Sequence, residues 1–135
     1  MTVTALQPAP LRIERELPAD GAAVDALVFA AFGPGRFAKA AERLREGHRP
    51  AAGFVVREDG QLIGSVRLWP IAIGGRPALF LGPIVVDAGR RLDGLGAALV
   101  SACMAEARHS GADGVLLVGD PPYFGRFGFA PAPGV

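Results

Sequence analysis

Leu11, Ile13 and Arg15 alternate with charged neighbours, and this weak two-residue period predicts a first strand over Leu11–Leu17. Pro18 and Asp20 then mark a helix start. Val24, Leu27, Val28, Ala31 and Phe32 follow at helical spacing as one apolar stripe, which Gly33-Pro34-Gly35 stops. A shorter helix is expected from Arg36 to Glu46, with Phe37, Ala40, Ala41 and Leu44 inward. The pattern next changes to strands. Phe54-Val55-Val56 is followed by the hairpin signal Asp59-Gly60, and Leu62–Trp69 returns antiparallel. Gly74-Gly75 offers a second turn before the apolar run Ala78–Val86, so three strands form a meander. From Leu95 the period is helical again, with Leu95, Ala98, Leu99, Ala102 and Cys103 on one face, and Gly111 ends that helix. Val115–Val118 is a short buried strand. Strand, helix and strand in that order imply a parallel pair joined by a crossover. The expected fold class is α/β, a mixed sheet with helices on its faces.

Composition narrows the function. A chain of 135 residues suits one domain, expected over residues 11–135 after a flexible segment, residues 1–10. Half the residues are hydrophobic, which argues against disorder despite 19 Gly and 12 Pro. A net charge of +1 lacks the electrostatic footprint of a non-specific nucleic-acid binder. One cysteine, Cys103, excludes an internal disulfide framework, and with His48 and His109 the only histidines no metal centre is expected. Met1–Pro10 has neither the basic nor the apolar part of a signal peptide. The apolar run Pro77–Val86 is well short of the roughly 20 residues of a membrane span. The expectation is a cytoplasmic protein without membrane or nucleic-acid partners.

The stretch Leu79–Ala98, LFLGPIVVDAGRRLDGLGAA, carries two features with chemical content. Pro83 has no N–H for a ladder and Gly82 packs nothing, so the strand bulges or splays there. A splay frees backbone groups for a ligand, whereas the plainer reading is an edge strand with a tolerated bulge. The second feature is Arg91-Leu92-Asp93-Gly94-Leu95-Gly96-Ala97, between that strand and a helix. Its glycines let backbone approach an anion, and the helix start supplies unpaired N–H groups and a positive dipole end. Neither a Walker A lysine nor the three-glycine dinucleotide spacing is present. A plain strand-to-helix turn would also account for it.

The R-x-x-G-x-G run, after an apolar strand ending Val-Val-Asp and before Ala-Ala-Leu-Val, resembles the acetyl-CoA motif of GNAT-superfamily N-acetyltransferases. Downstream, Gly119-Asp120-Pro121-Pro122-Tyr123-Phe124-Gly125-Arg126-Phe127-Gly128-Phe129 looks like that superfamily's short aromatic helix. The order of elements agrees from Leu11 to Phe129, and the chain is most similar to small bacterial predicted acetyltransferases. The resemblance implies a GNAT-like fold whose central mixed sheet holds a splayed parallel pair, with helices on both faces. It implies acetyl-CoA as cosubstrate and a primary amine of a small molecule or peptide as acceptor, acetylated by direct attack. Ile84 and Val86 would pair with the pantetheine arm. A backbone N–H near Ile84 or Val85 would polarise the thioester carbonyl. The pyrophosphate would lie on Leu92, Gly94, Leu95, Gly96 and Ala97, with Arg91 and Asp93 beside it. A non-catalytic acyl-CoA-binding or regulatory module on the same fold is the alternative.

Several positions depart from the superfamily's pattern. Its usual tyrosine, the acid for the departing thiolate, aligns with Phe124. Tyr123 lies one residue earlier, about 100° around a helix, and is either the acid on a locally shifted helix or a packed aromatic. Asp93 places a carboxylate where it would oppose a pyrophosphate if it pointed inward. Arg57 and Arg67 are expected to be solvated or cross-strand paired, Cys103 core, Trp69 core or the lining of an acceptor cleft, His48 a helix cap or a catalytic residue, and His109 part of the last turn of the cradle helix. Superfamily members usually add two strands after the aromatic helix, and Ala130–Val135 are too few for them. Those C-terminal strands are therefore expected to be missing. Either the chain continues further or a second subunit, in a homodimer, completes the sheet.

Overall fold

A computed structural model describes residues 11–32, 49–89 and 94–132. The expected helix over residues 36–46, His48, the segment 1–10 and the cradle residues Arg91, Leu92 and Asp93 lie outside the described residues. The six described strands are β1 (Ile13–Arg15), β2 (Ala52–Glu58), β3 (Gln61–Ile73), β4 (Arg76–Leu81), β5 (Val85–Val86) and β6 (Val115–Leu116). The helices are α1 (Gly21–Phe32), α2 (Leu95–Ser110) and α3 (Pro121–Phe124). They form one mixed sheet in the order β1-β2-β3-β4-β6, with β5 paired to β3.

Turn chemistry sets the meander. Asp59 and Gly60 have φ of 50° and 80°, and Gly74 and Gly75 have 57° and 80°. Two successive left-handed residues make the tight turn whose twist suits a hairpin, and this pins the register of β2 on β3 and of β3 on β4. The central strand β3 is buried continuously from Ile63 to Trp69 because helices cover both of its faces. On one side Val66 and Leu68 pack with Leu99, Val100 and Cys103 of α2. On the other, Val24 and Val28 of α1 close over Val55 and Val85.

Three expectations change in detail. The run Ala78–Val86 is two strands, because residues 82–84 leave the sheet around a cis Gly82–Pro83 bond. The last strand is only Val115–Leu116, shorter than the apolar run that predicts it. Arg67 is neither solvated nor paired to an adjacent strand. Its buried guanidinium donates to both carboxylate oxygens of Glu16, at 2.9 and 2.8 Å, and to Asp25 of α1 at 3.2 Å. No helix among the described residues is long and apolar enough to cross a membrane.

Candidate active site

The parallel pair β4–β6 is pinned at one end and open at the other. Asp113 N–H donates to Pro77 O at 2.9 Å and Leu79 N–H to Gly114 O at 3.0 Å. The register then runs through Leu79–Val115 to Phe80–Leu116 and stops. Beyond that point the main chain is held to β3 on either side of the bulge at residues 82–84. Gly82 N–H donates to Arg67 O at 2.9 Å, Ser65 lies opposite Val85, and Asp87 N–H donates to Ile63 O at 2.7 Å. Amides alternate in direction along an antiparallel ladder, so Val85, like Asp87, turns its N–H toward β3 while Val86 turns its N–H away. The strands therefore diverge into a V, with the main chain of Ile84 and Val86 along one arm and that of Leu117 and Val118 along the other. Val118 is 75% exposed there, unusual for an apolar residue next to a sheet.

The helix α2 begins beside β5. Its N-cap, Gly94, is left-handed (φ 72°) and offers no capping side chain. Ala98 N–H bonds Gly94 O at 3.1 Å, so the first-turn amides of Leu95, Gly96 and Ala97 have no partner within the helix. They coincide with the positive end of the helix dipole, while Arg108 and His109 occupy the last turn. A Cβ on Gly96 would lie 3.6 Å from Tyr123 Oη and 4.0 Å from Val86 Cγ2. Gly96 thus marks where the helix start, β5 and the aromatic turn converge.

That turn separates its two candidate residues. The Phe124 ring fills the space a side chain at Gly119 would need, meets Phe129 edge-on at 6.2 Å and packs on the larger core. Tyr123 sits edge-on to Phe124 at 4.9 Å but is 37% exposed and carries its hydroxyl toward the start of α2. Arg126, whose position the motif alone left without a role, places its guanidinium 4.3 Å from the Tyr123 ring centre and 5.0 Å from that of Phe127. Phe124 and Phe129 also line a cleft of about 240 Å³ running along residues 115–119 to Ala132.

Charge is organised on the α1 side. Asp20 accepts Leu17 N–H at 2.8 Å and both terminal nitrogens of Arg57. Those bonds, that from Arg57 foremost, hold its carboxyl below the usual range, and Asp20 and Glu14 together raise the guanidinium of Arg57. Burial alone would lower Arg67, but Glu16 and Asp25 more than offset this and keep it charged. Two residues beyond Arg67 on β3 lies Trp69, 1% exposed, whose indole Nε1–H donates to Gly82 O at 2.8 Å. Sequence patterns place Trp69 in the core or at an acceptor cleft but not at Gly82, because a hydrogen bond to a non-adjacent carbonyl leaves no periodic signal.

A parallel pair that stops after two residues, beside a glycine-rich helix start, agrees with the acetyltransferase resemblance read from the sequence. Residues 22–129 match the model of the acetyltransferase (GNAT) family, and the chain belongs to that family. It is 34% identical over 120 residues to the uncharacterized N-acetyltransferase YhbS of Escherichia coli K12, covering 87% of this chain and 72% of YhbS. The structure of E. coli YhbS in complex with CoA superposes with a TM-score of 0.80 at 32% identity, over 94% of this chain and 73% of that one. A GNAT-family acetyltransferase from Brucella melitensis in complex with acetyl-CoA gives 0.78 at 30% identity, over 90% and 84%. The chain is accordingly an acetyltransferase and shares the fold of these relatives.

Proposed function

We propose that this chain transfers the acetyl group of acetyl-CoA directly to a primary amine of a small molecule or peptide. The observation that carries the reading is the V itself, where the main chain of Val86 turns away from β3 and the first turn of α2, without a capping side chain, lies at its end. The groups present suit the cosubstrate. An extended pantetheine arm carries amides that can pair with the main chain of Ile84 and Val86 as a further strand would. Amides of Leu95, Gly96 and Ala97 after Gly94 suit a pyrophosphate, and Arg91, Leu92 and Asp93 precede them in sequence. Phe124 forms apolar wall beneath the arm, and Val118 is covered by it.

Ile84 is assigned the oxyanion contact, since the N–H of Val85 is directed to β3. As the amine nitrogen bonds to the thioester carbon, Ile84 N–H donates to the carbonyl oxygen. The carbon–sulfur bond then breaks, the acetamide loses its extra proton to water or a base, and the thiolate takes up a proton. Tyr123 is the group placed to deliver that proton, and its hydroxyl borders the site at Gly96.

Titration calorimetry with acetyl-CoA and CoA, followed by a free-thiol release assay over a panel of primary amines, tests this reading. Binding of both ligands and amine-dependent thiol release are expected. Absence of binding at millimolar concentration overturns the site, and binding without thiol release from any amine leaves an acyl-CoA-binding module instead. In the same assay Tyr123→Phe is expected to slow turnover and change the alkaline limb of the pH–rate profile. An unchanged limb removes Tyr123 as the acid.

A further inference from the structure

We infer that Trp69 is a positioning residue for the reaction, setting the aim of the Ile84 N–H through its hydrogen bond to Gly82 O; the inference rests on the acetyl-transfer reading above. The bond runs between chain positions 13 residues apart, is 2.8 Å long and is buried, so water does not compete for either group. Its consequence follows from covalent geometry. The Gly82–Pro83 peptide is planar, so holding the Gly82 carbonyl also holds the Pro83 nitrogen and ring plane. The pyrrolidine ring fixes φ of Pro83. Only one soft rotation, ψ of Pro83, then separates the anchored carbonyl from the N–H of Ile84. Pro83 has no N–H, so that of Ile84 is the first one after the anchor.

The segment is held from its other side as well. Gly82 N–H is bonded to Arg67 O, and Val85 is seated opposite Ser65. The two anchors on β3 leave the bulge little freedom, and Trp69 supplies the only side-chain hydrogen bond to residues 82–84 among those described. A phenylalanine at position 69 would fill part of the same volume and leave the Gly82 carbonyl without its donor. Oxyanion stabilisation depends on a donor lying 2.7–3.1 Å from the developing charge, so a small rotation of the Pro83–Ile84 peptide weakens it without emptying the site.

The chain has a single tryptophan, which makes an isosteric test clean. Grown in a tryptophan auxotroph with 3-benzothienylalanine, the protein carries sulfur in place of the indole N–H at position 69 alone. Isotope-edited infrared spectra of acetyl-CoA labelled with carbon-13 at the thioester carbonyl read how strongly that carbonyl is polarised. The expected result is a shift to lower frequency on binding to the unmodified protein and the loss of about half of that shift or more in the benzothienyl form. CoA affinity is expected to stay within about twofold, and kcat to fall on the order of tenfold, less than the hundredfold or more seen when an oxyanion donor is removed outright. Trp69→Phe is expected to behave in the same direction. Equal shifts in the two proteins, or a parallel loss of CoA affinity and turnover, overturn the role of Trp69. Failure of the unmodified protein to bind acetyl-CoA overturns the acetyl-transfer reading instead.

Discussion

The thiol of Cys103 lies on the inner face of α2 with none of its surface exposed. Burial, with a smaller contribution from the Glu106 carboxylate, pushes it from its ordinary value of 9.0 up to about 12. A thiol so placed is a packing group. The folded protein is expected to react negligibly with a disulfide reagent at pH 8 and to titrate one thiol after denaturation. The same shift affects stability. Above pH 9 the unfolded state loses the proton while the folded state holds it until about pH 12, so this group's contribution falls as pH rises through that window. Urea midpoints compared at pH 8 and pH 11 should fall less in Cys103→Ala than in the parent. Ser65 follows the opposite logic: its buried hydroxyl has no hydrogen-bond partner among the described residues, and polarity there contributes nothing visible to the fold.

Among the elements, the start of α2 concentrates the most function in the fewest residues. Gly94 ends the approach in a left-handed conformation, and Gly96 keeps the first turn bare where Tyr123 and β5 approach it. A methyl at position 96 meets its neighbours only at ordinary contact distance, but a carboxylate places bulk and negative charge at the amides of the first turn. Gly96→Asp is therefore expected to weaken CoA binding by tenfold or more, in the range of about 1.4 kcal/mol upward, with little change in thermal midpoint. Titration calorimetry beside a melting curve separates the two effects. Unchanged affinity would refute the assignment of phosphate to this helix. Glycines between an apolar strand and an amphipathic helix form a local pattern, and so this element is legible in the residues alone.

The whole molecule is tied across its sheet by charge as well as by apolar packing. Gly53 has no side chain, and the Glu16 carboxylate occupies the space a Cβ would take, lying across β2 to reach Arg67 on β3. Arg67 in turn reaches Asp25, so one buried cation links the segment after β1, the central strand and α1. Glu16→Gln is expected to lower unfolding free energy by about 2–3 kcal/mol, below the usual cost of breaking a buried pair because Asp25 remains. Urea denaturation measures this directly, and a loss under about 0.5 kcal/mol would show that the pair is dispensable. Gly53→Ala should act through the same contact, by displacing the carboxylate.

What could be read in the chain was whatever depends on neighbours in sequence. The helical stripes of α1 and α2, the two hairpin turns at Asp59-Gly60 and Gly74-Gly75, the interruption at Gly82-Pro83 and the glycines before α2 are local consequences of period and backbone freedom. The mixed sheet and its parallel closing strand followed from the order of those elements. Tertiary structure alone decided which way each group faces. It turned Val85 to β3, set Tyr123 toward α2 and Phe124 toward β6, and buried Arg67 between two carboxylates. It also brought the indole of Trp69 to the Gly82 carbonyl. The reason is physical: ladder direction and long-range hydrogen bonds depend on which strands meet and in what register, and neither leaves a periodic trace in the residues that make them.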